Sequence, residues 1–497
     1  MLTFLQKNIP IFLYFLSYLF FVLIGITFFV LNNHLYISLY ELFSGVGRPI
    51  ISTSEQWRDL LLISYISPLL LIVSFYIILN KNETKHISEK INFIFKFDPK
   101  ILFLLYSFIV GFLIYRLLHF ISFQDIFYAY TNYKSMINIR VHLFNHFNSF
   151  DWILMYSFVP ALTGILYFNL KSNFLRYLVL SISIVLLMYT MQKRYVLLLI
   201  IFICMIHIFQ QNYNYKEILK NSLGILGMLG IIFFAQTYLP ASYLTSVIPY
   251  QQENKLDQNK QNHTNASKKT QDVGLNVKST QLIKTNQNIK ERQIIRIKNV
   301  LMKMKSQGKL LSPEEVSKIV PTLGFDGKYL NYLFYVGAAL NRSSIPSVYY
   351  FEFFPTKINF IGLEISHFLP FKEKINEGKL MWEYLNGDSV KGGAIAVPFN
   401  FSLYARVGVV GTLIISIIIG AFLGGIWSII RNLQTPLPKA ILSSMFCILM
   451  VFLSMDNFRS SVFTAYGIFW WVLCFLLCCL LSHLSSLKFF PHKEVAS

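Results

Sequence analysis

Arginines stand at places in this chain where short connections between apolar runs normally hold few cations. Arg116 lies near the end of one run and Arg140 just after it; Lys193 and Arg194 separate two others. Arg342 falls in a long intervening segment, Arg406 at the mouth of a long apolar run, and Arg459 just before the last one. A guanidinium offers five N–H donors in a planar fork that matches phosphate oxygens two at a time. One such residue alone would simply snorkel to lipid phosphates. Several at one membrane face suit a diphosphate or another polyanionic headgroup. Aromatic residues accompany them, including Trp382, Tyr384 and Tyr404. Rings of this kind usually form an interfacial belt, and their other use is to stack on the apolar face of a sugar. Transfer of a sugar onto a hydroxyl needs one group to take the proton and another to stabilise the leaving group. Asp388, Glu383 and Glu364 rank first among the carboxylates, because they lie close to the run that opens near Phe401. No pair among them has a spacing that singles it out.

The stretch 391–431, KGGAIAVPFNFSLYARVGVVGTLIISIIIGAFLGGIWSIIR, ties these residues to a membrane helix. A Gly- and Pro-containing loop passes directly into an apolar run, with Tyr404 and Arg406 at the junction. An arginine there costs free energy unless water, a partner or a ligand satisfies it. Gly408 and Gly411 follow at helical spacing, and Gly420 and Gly424 form a GxxxG pair, which lets a neighbouring backbone approach.

The elements that must position these groups are long and apolar. With 55% hydrophobic and only 14% charged residues among 497, the chain reads as an all-α integral membrane protein, a polytopic bundle with one large extracytoplasmic loop. About ten stretches approach the ~20-residue spanning length. They lie near 10–31, 60–80, 101–121, 151–170, 174–192, 195–211, 222–239, 401–430, 440–455 and 461–484. Lysines at 81, 85, 90, 96 and 100, with Lys171, Arg176, Lys216, Lys220, Arg431, Lys439 and Lys488, share one side if both termini are cytoplasmic. Residues 1–240 then hold spans one to seven, 241–400 the outer loop, and 401–497 spans eight to ten with a cytoplasmic tail. Within the loop, the Gln-, Asn- and Lys-rich tract 251–307 is expected to be disordered and the aromatic-rich 321–400 to be folded.

Several function classes lose support. The net charge of +20 comes without a compact basic recognition module, so anionic lipid rather than nucleic acid is the expected partner. All five cysteines fall in apolar runs, which argues for inert thiols. There is no phosphate loop, no HExxH and no Gly-x-Ser-x-Gly elbow, so neither a cofactor nor a metal is expected.

Taken with the Asn341–Arg342 pair, the outer basic residues Lys193 and Arg194, and the segment GGAIAVPFNFSLYARVGVVGTLIISIIIGAFLGG, the chain resembles the O-antigen polymerase family (Wzy-type oligosaccharide repeat-unit polymerases). Val407 and Arg406 stand where relatives often carry Phe and Asn. The resemblance implies a bacterial inner-membrane glycosyltransferase that polymerises repeat units carried on undecaprenyl diphosphate, using neither metal nor nucleotide sugar. It implies diphosphate contacts from Arg140, Arg194, Arg342 and Arg459, and glycan contacts from Tyr404, Arg406 and Trp382. A chain-length regulator is a further implied partner. Two neighbouring activities share these features: ligation of finished O-antigen to lipid A-core, and export of lipid-linked oligosaccharide by a flippase.

Overall fold

Short polar residues start the helices. In the computed structural model, Thr53 and Asn148 each form a capping box, Thr53 with Gln56 and Asn148 with Asp151. Asp98 accepts from Lys100 N just ahead of a helix that begins with proline, and Ser172 accepts from Leu175 N. Each cap satisfies N–H groups that a first turn leaves without an intrahelical partner. The structure describes residues 2–31, 49–79, 97–122, 139, 142–143, 145–190, 193–210, 343–364, 375–386 and 395–486.

In chain order the helices are α1 (Asn8–Val30), α2 (Ser54–Leu79), α3 (Pro99–Phe120), α4 (Ser149–Asn169), α5 (Asn173–Tyr189) and α6 (Arg194–Gln210). They continue with α7 (residues 343–353), α8 (Glu377–Asn386), α9 (Phe399–Arg431), α10 (Pro436–Leu453), α11 (Phe458–Phe463) and α12 (Ile468–Ser486). Among the described residues, seven are long and apolar enough to cross a membrane, counting α11 with α12 as one; α5 and α6 are apolar but shorter. No strand occurs among the described residues. The protein is an all-helical membrane protein in this part of the chain. The expected span near 222–239 and the tract 251–307 lie outside the described residues, as does the loop up to residue 342.

Within 8–210, and again within 399–486, successive membrane helices reverse direction, so their ends gather in two sets. At one, Asp98 N donates to Ser482 Oγ (2.9 Å), joining the start of α3 to the last turns of α12. At the other, α7 packs over the start of α2: Gln56 Nε2 donates to Phe351 O (2.9 Å) and Thr356 Oγ1 (3.0 Å). Ile50 N donates to Glu352 Oε2 there (2.9 Å). This second set is the loop end.

Burial sorts centre from rim. In the most apolar stretch of α4, 83% of the residues are buried, against 33% in the corresponding stretches of α3 and α9. Leu104, Phe108 and Phe422 accordingly face outward, as lipid contact requires. Small polar side chains join the inner helices: Tyr106 Oη and Ser183 Oγ lie 2.7 Å apart, and Ser183 Oγ and Thr163 Oγ1 2.6 Å.

α9 differs from the uninterrupted helix its sequence suggests. Gly408 takes φ 69° and ψ −168°, a break that only glycine adopts without strain. The break frees two carbonyls, Ala405 O and Arg406 O, which accept from Ile361 N (3.0 Å) and Gly362 N (2.9 Å) of the loop. The expected last span is likewise interrupted, between α11 and α12, where Gly467 N bonds back to Thr464 O (2.7 Å). All five cysteines are free thiols, four of them buried and Cys204 partly so.

Candidate functional site

The turn between α10 and α11 carries Asp456 and Asn457 at the loop end. Asn457 is there first as a cap, accepting from Ser460 N at the start of α11. Asp456 reaches towards α6, where it accepts from Arg194 Nη2 at 2.7 Å. Arg194 occupies the first turn of α6, a place where the helix dipole disfavours a cation. Asp456 offsets that cost. The guanidinium also lies over the rings of Tyr466 (4.7 Å) and Phe452 (5.0 Å), a favourable cation–π arrangement. Its side chain stays 35% exposed. Among the described residues the bond to Asp456 uses one N–H of the fork, so further donors are left for a ligand.

Asn457 leads to a second ion pair. Its Nδ2 donates to Glu377 Oε1 at 3.3 Å, and Ser402 Oγ donates to the same oxygen. The other oxygen, Glu377 Oε2, accepts from Arg406 Nη2 at 2.6 Å, and Arg406 Nη2 also reaches Ile375 O at 3.0 Å. Glu377 opens α8, so its carboxylate is favoured by the dipole. Both side chains are withdrawn from solvent, Arg406 at 0% and Glu377 at 1%. Burial, reinforced by the Glu377 carboxylate, pushes the neighbouring Tyr350 phenol well above its ordinary range, so that phenol stays neutral.

A third pair joins α3 to α4. Arg116 Nη2 donates to Asp151 Oδ2 at 2.8 Å, and its guanidinium lies 4.9 Å from the Phe120 ring centre. Asp151 is the same residue that closes the α4 capping box, so one carboxylate serves both duties. A run of rings connects this pair to the first: Trp152 stacks on Tyr156 (5.0 Å), Tyr156 on Tyr195 (3.5 Å), and Tyr195 approaches Tyr466 (6.0 Å). Trp152, Tyr156 and Tyr195 are buried. They offer no open face to a sugar.

The residues expected to do chemistry separate into three groups. Arg194 and Arg459 both lie at the loop end, Arg459 partly exposed on α11, three residues after Asp456. Trp382 and Glu383 lie partly exposed on α8, with Glu383 3.8 Å from Lys379, and Glu364 is partly exposed in the segment that follows α7. Tyr404 and Arg406 lie in the interior: Tyr404 Oη donates to Phe354 O (3.2 Å) and its ring packs 4.4 Å from Phe351. Asp388, Arg140 and Arg342 lie outside the described residues. Glu377 and Asn457 had no signal in the sequence beyond the need of Arg406 for a carboxylate. No group of three or more His, Cys, Asp and Glu residues able to hold a metal occurs among the described residues. Comparisons with protein families, with characterised proteins and with solved structures found no match for this chain.

Proposed function

We propose that the protein is a membrane glycosyltransferase that polymerises undecaprenyl-diphosphate-linked oligosaccharide repeat units at the extracytoplasmic face of a bacterial inner membrane. The observation that supports this most is Arg194, a partly exposed guanidinium pinned by one N–H to Asp456 and by two rings. Arg459 and the Arg116–Asp151 pair lie at the same end. In this reading the acceptor hydroxyl attacks the donor's anomeric carbon, and the bond from that carbon to the diphosphate oxygen breaks. The leaving diphosphate takes the electron pair and is stabilised by Arg194 and Arg459, with Arg140 and Arg342 contributing from the loops. The hydroxyl proton passes to a carboxylate, for which Glu383, Glu364 and Asp388 are the proposed acceptors. Trp382 is the proposed sugar-stacking ring. Tyr404 and Arg406 would act on the glycan indirectly, by holding α7 and α8 over the bundle. Both termini would be cytoplasmic.

The test is a glycan ladder from cells carrying Arg194→Lys. Lysine keeps a positive charge opposite Asp456 but loses the planar fork, so membrane levels of the protein should hold. Long chains should fall on the order of 10²-fold, the scale of losing one transition-state donor, while single repeat units still reach the surface. An unchanged chain-length distribution would sink the polymerase reading. Loss of single units as well would point to ligation or export.

A further inference from the structure

Between α3 and α4, His142 and His146 stand one helical turn apart, both exposed. Their backbone is helical, and Phe147 N bonds to Leu143 O (2.8 Å) in the i to i−4 pattern. Four-residue spacing puts two side chains on one face. The residues that follow each histidine, Leu143 and Phe147, are buried, so the histidines hold the outer face. There the two imidazole rings meet, with centres 4.1 Å apart and planes tilted by 35°.

His146 is oriented by two neighbours. Its Nδ1 lies 2.8 Å from His142 O, and a carbonyl can only accept, so the proton sits on Nδ1. The lone pair of the neutral ring is then on Nε2, at the far edge from the backbone. Phe120 of α3 packs against the same ring, with 5.1 Å between centres. A bond from one ring nitrogen to a carbonyl is the usual way a metal-ligating histidine is held. The Arg116 guanidinium also reaches His146 O, at 3.5 Å, but its charge is paired with Asp151. A cation arriving at Nε2 therefore meets a compensated charge rather than a bare one.

We propose that His142 and His146 together chelate one transition-metal ion of the zinc class at the loop end. Imidazole suits Zn²⁺, Ni²⁺ and Cu²⁺, whereas Mg²⁺ and Ca²⁺ take hard oxygen ligands. Two nitrogens at ~2.0–2.1 Å from a tetrahedral ion lie roughly 3.4 Å apart. Rings whose centres are 4.1 Å apart reach that separation by side-chain rotation, without backbone movement. Water completes the coordination, since no third His, Cys, Asp or Glu joins the pair among the described residues. By bridging one turn, the ion stiffens the connection that leads into the Asn148–Asp151 capping box of α4. The site takes no part in the chemistry proposed for Arg194, so that reading can fail without touching it.

The experiment is isothermal titration of the untagged full chain with zinc chloride, with magnesium chloride as the control. The wild type should bind Zn²⁺ with a Kd on the order of 1 μM and show no heat with Mg²⁺. His142→Ala and His146→Ala should each weaken Zn²⁺ binding by about tenfold or more, and the double variant should lose it. The metal-free melting temperature should stay put in all three, because both rings are exposed. Saturating zinc should raise the melting temperature of the wild type by mass action and leave the double variant unmoved. Zn²⁺ binding that survives in the double variant, equal binding of Mg²⁺, or no Zn²⁺ binding by the wild type overturns the proposal.

Discussion

Glu377→Gln is expected to weaken the loop end by about 3–5 kcal/mol, the usual cost of breaking a buried ion pair from one side. The amide keeps an oxygen for Ser402 and Asn457 but turns an N–H donor towards Arg406, whose guanidinium is withdrawn from solvent. The stranded charge carries most of the cost. Because Glu377 opens α8 and Asn457 caps α11, the loss should spread to both elements. Thermal melting of the purified protein would show it as a lower transition. The double variant Arg406→Met with Glu377→Met should recover much of the loss, since apolar side chains of similar volume commonly replace a buried pair without penalty. If Glu377→Gln melts like the wild type, the pair is not the buried tie described above.

The sequence discloses some of this organisation and conceals the rest, for physical reasons. Runs of apolar residues long enough to span are a strong signal, because a bilayer core of ~30 Å admits few other structures. The position of Arg194 and Arg459 at one end follows from the same counting, since alternate helix ends must gather on alternate sides. The pairing of Arg194 with Asp456 does not, because the two lie 262 residues apart and only the packing of α6 on α10 brings them together. Glu377 sits in the polar stretch NEGK, which reads like any loop. Its importance comes from the 0% exposure of Arg406, a property of the finished fold. Tyr404 and Arg406 look like a rim because they stand at the junction of loop and helix; α7 covers Tyr404 and α8 covers Arg406. The break at Gly408 is hidden in LYARVGVVGT, whose composition suits a continuous helix. The GxxxG pair lower in the same helix is legible, because close backbone approach is the one thing paired small residues are needed for.

That pair leads to the other large effect. Gly420→Leu should separate α2 from α9 and sharply lower both melting temperature and membrane yield. A Cβ at Gly420 would meet Leu71 O and Ser74 Oγ, and one at Gly424 would lie 2.5 Å from Phe75 O. Leu71 O and Phe75 O are backbone atoms, so no rotamer change relieves the clash and α9 must move. Even Gly420→Ala should cost about 1–3 kcal/mol through overpacking, and the Ser67–Ser416 hydrogen bond of 2.8 Å, one turn away, should weaken with it. Ser74→Ala cannot rescue the variant fully, because Leu71 O remains. Gly425 provides the control. One residue further on, its added Cβ would meet only Ile78 Cγ2, at 3.9 Å. Gly425→Ala should therefore be neutral, or stabilising by up to ~1 kcal/mol through helix propensity. The decisive measurement is the difference in melting temperature between Gly420→Ala and Gly425→Ala. Gly420→Ala should melt lower than the wild type and Gly425→Ala no lower, because one methyl group enters a backbone contact and the other enters open space. Equal shifts would mean that α2 and α9 do not meet through these glycines.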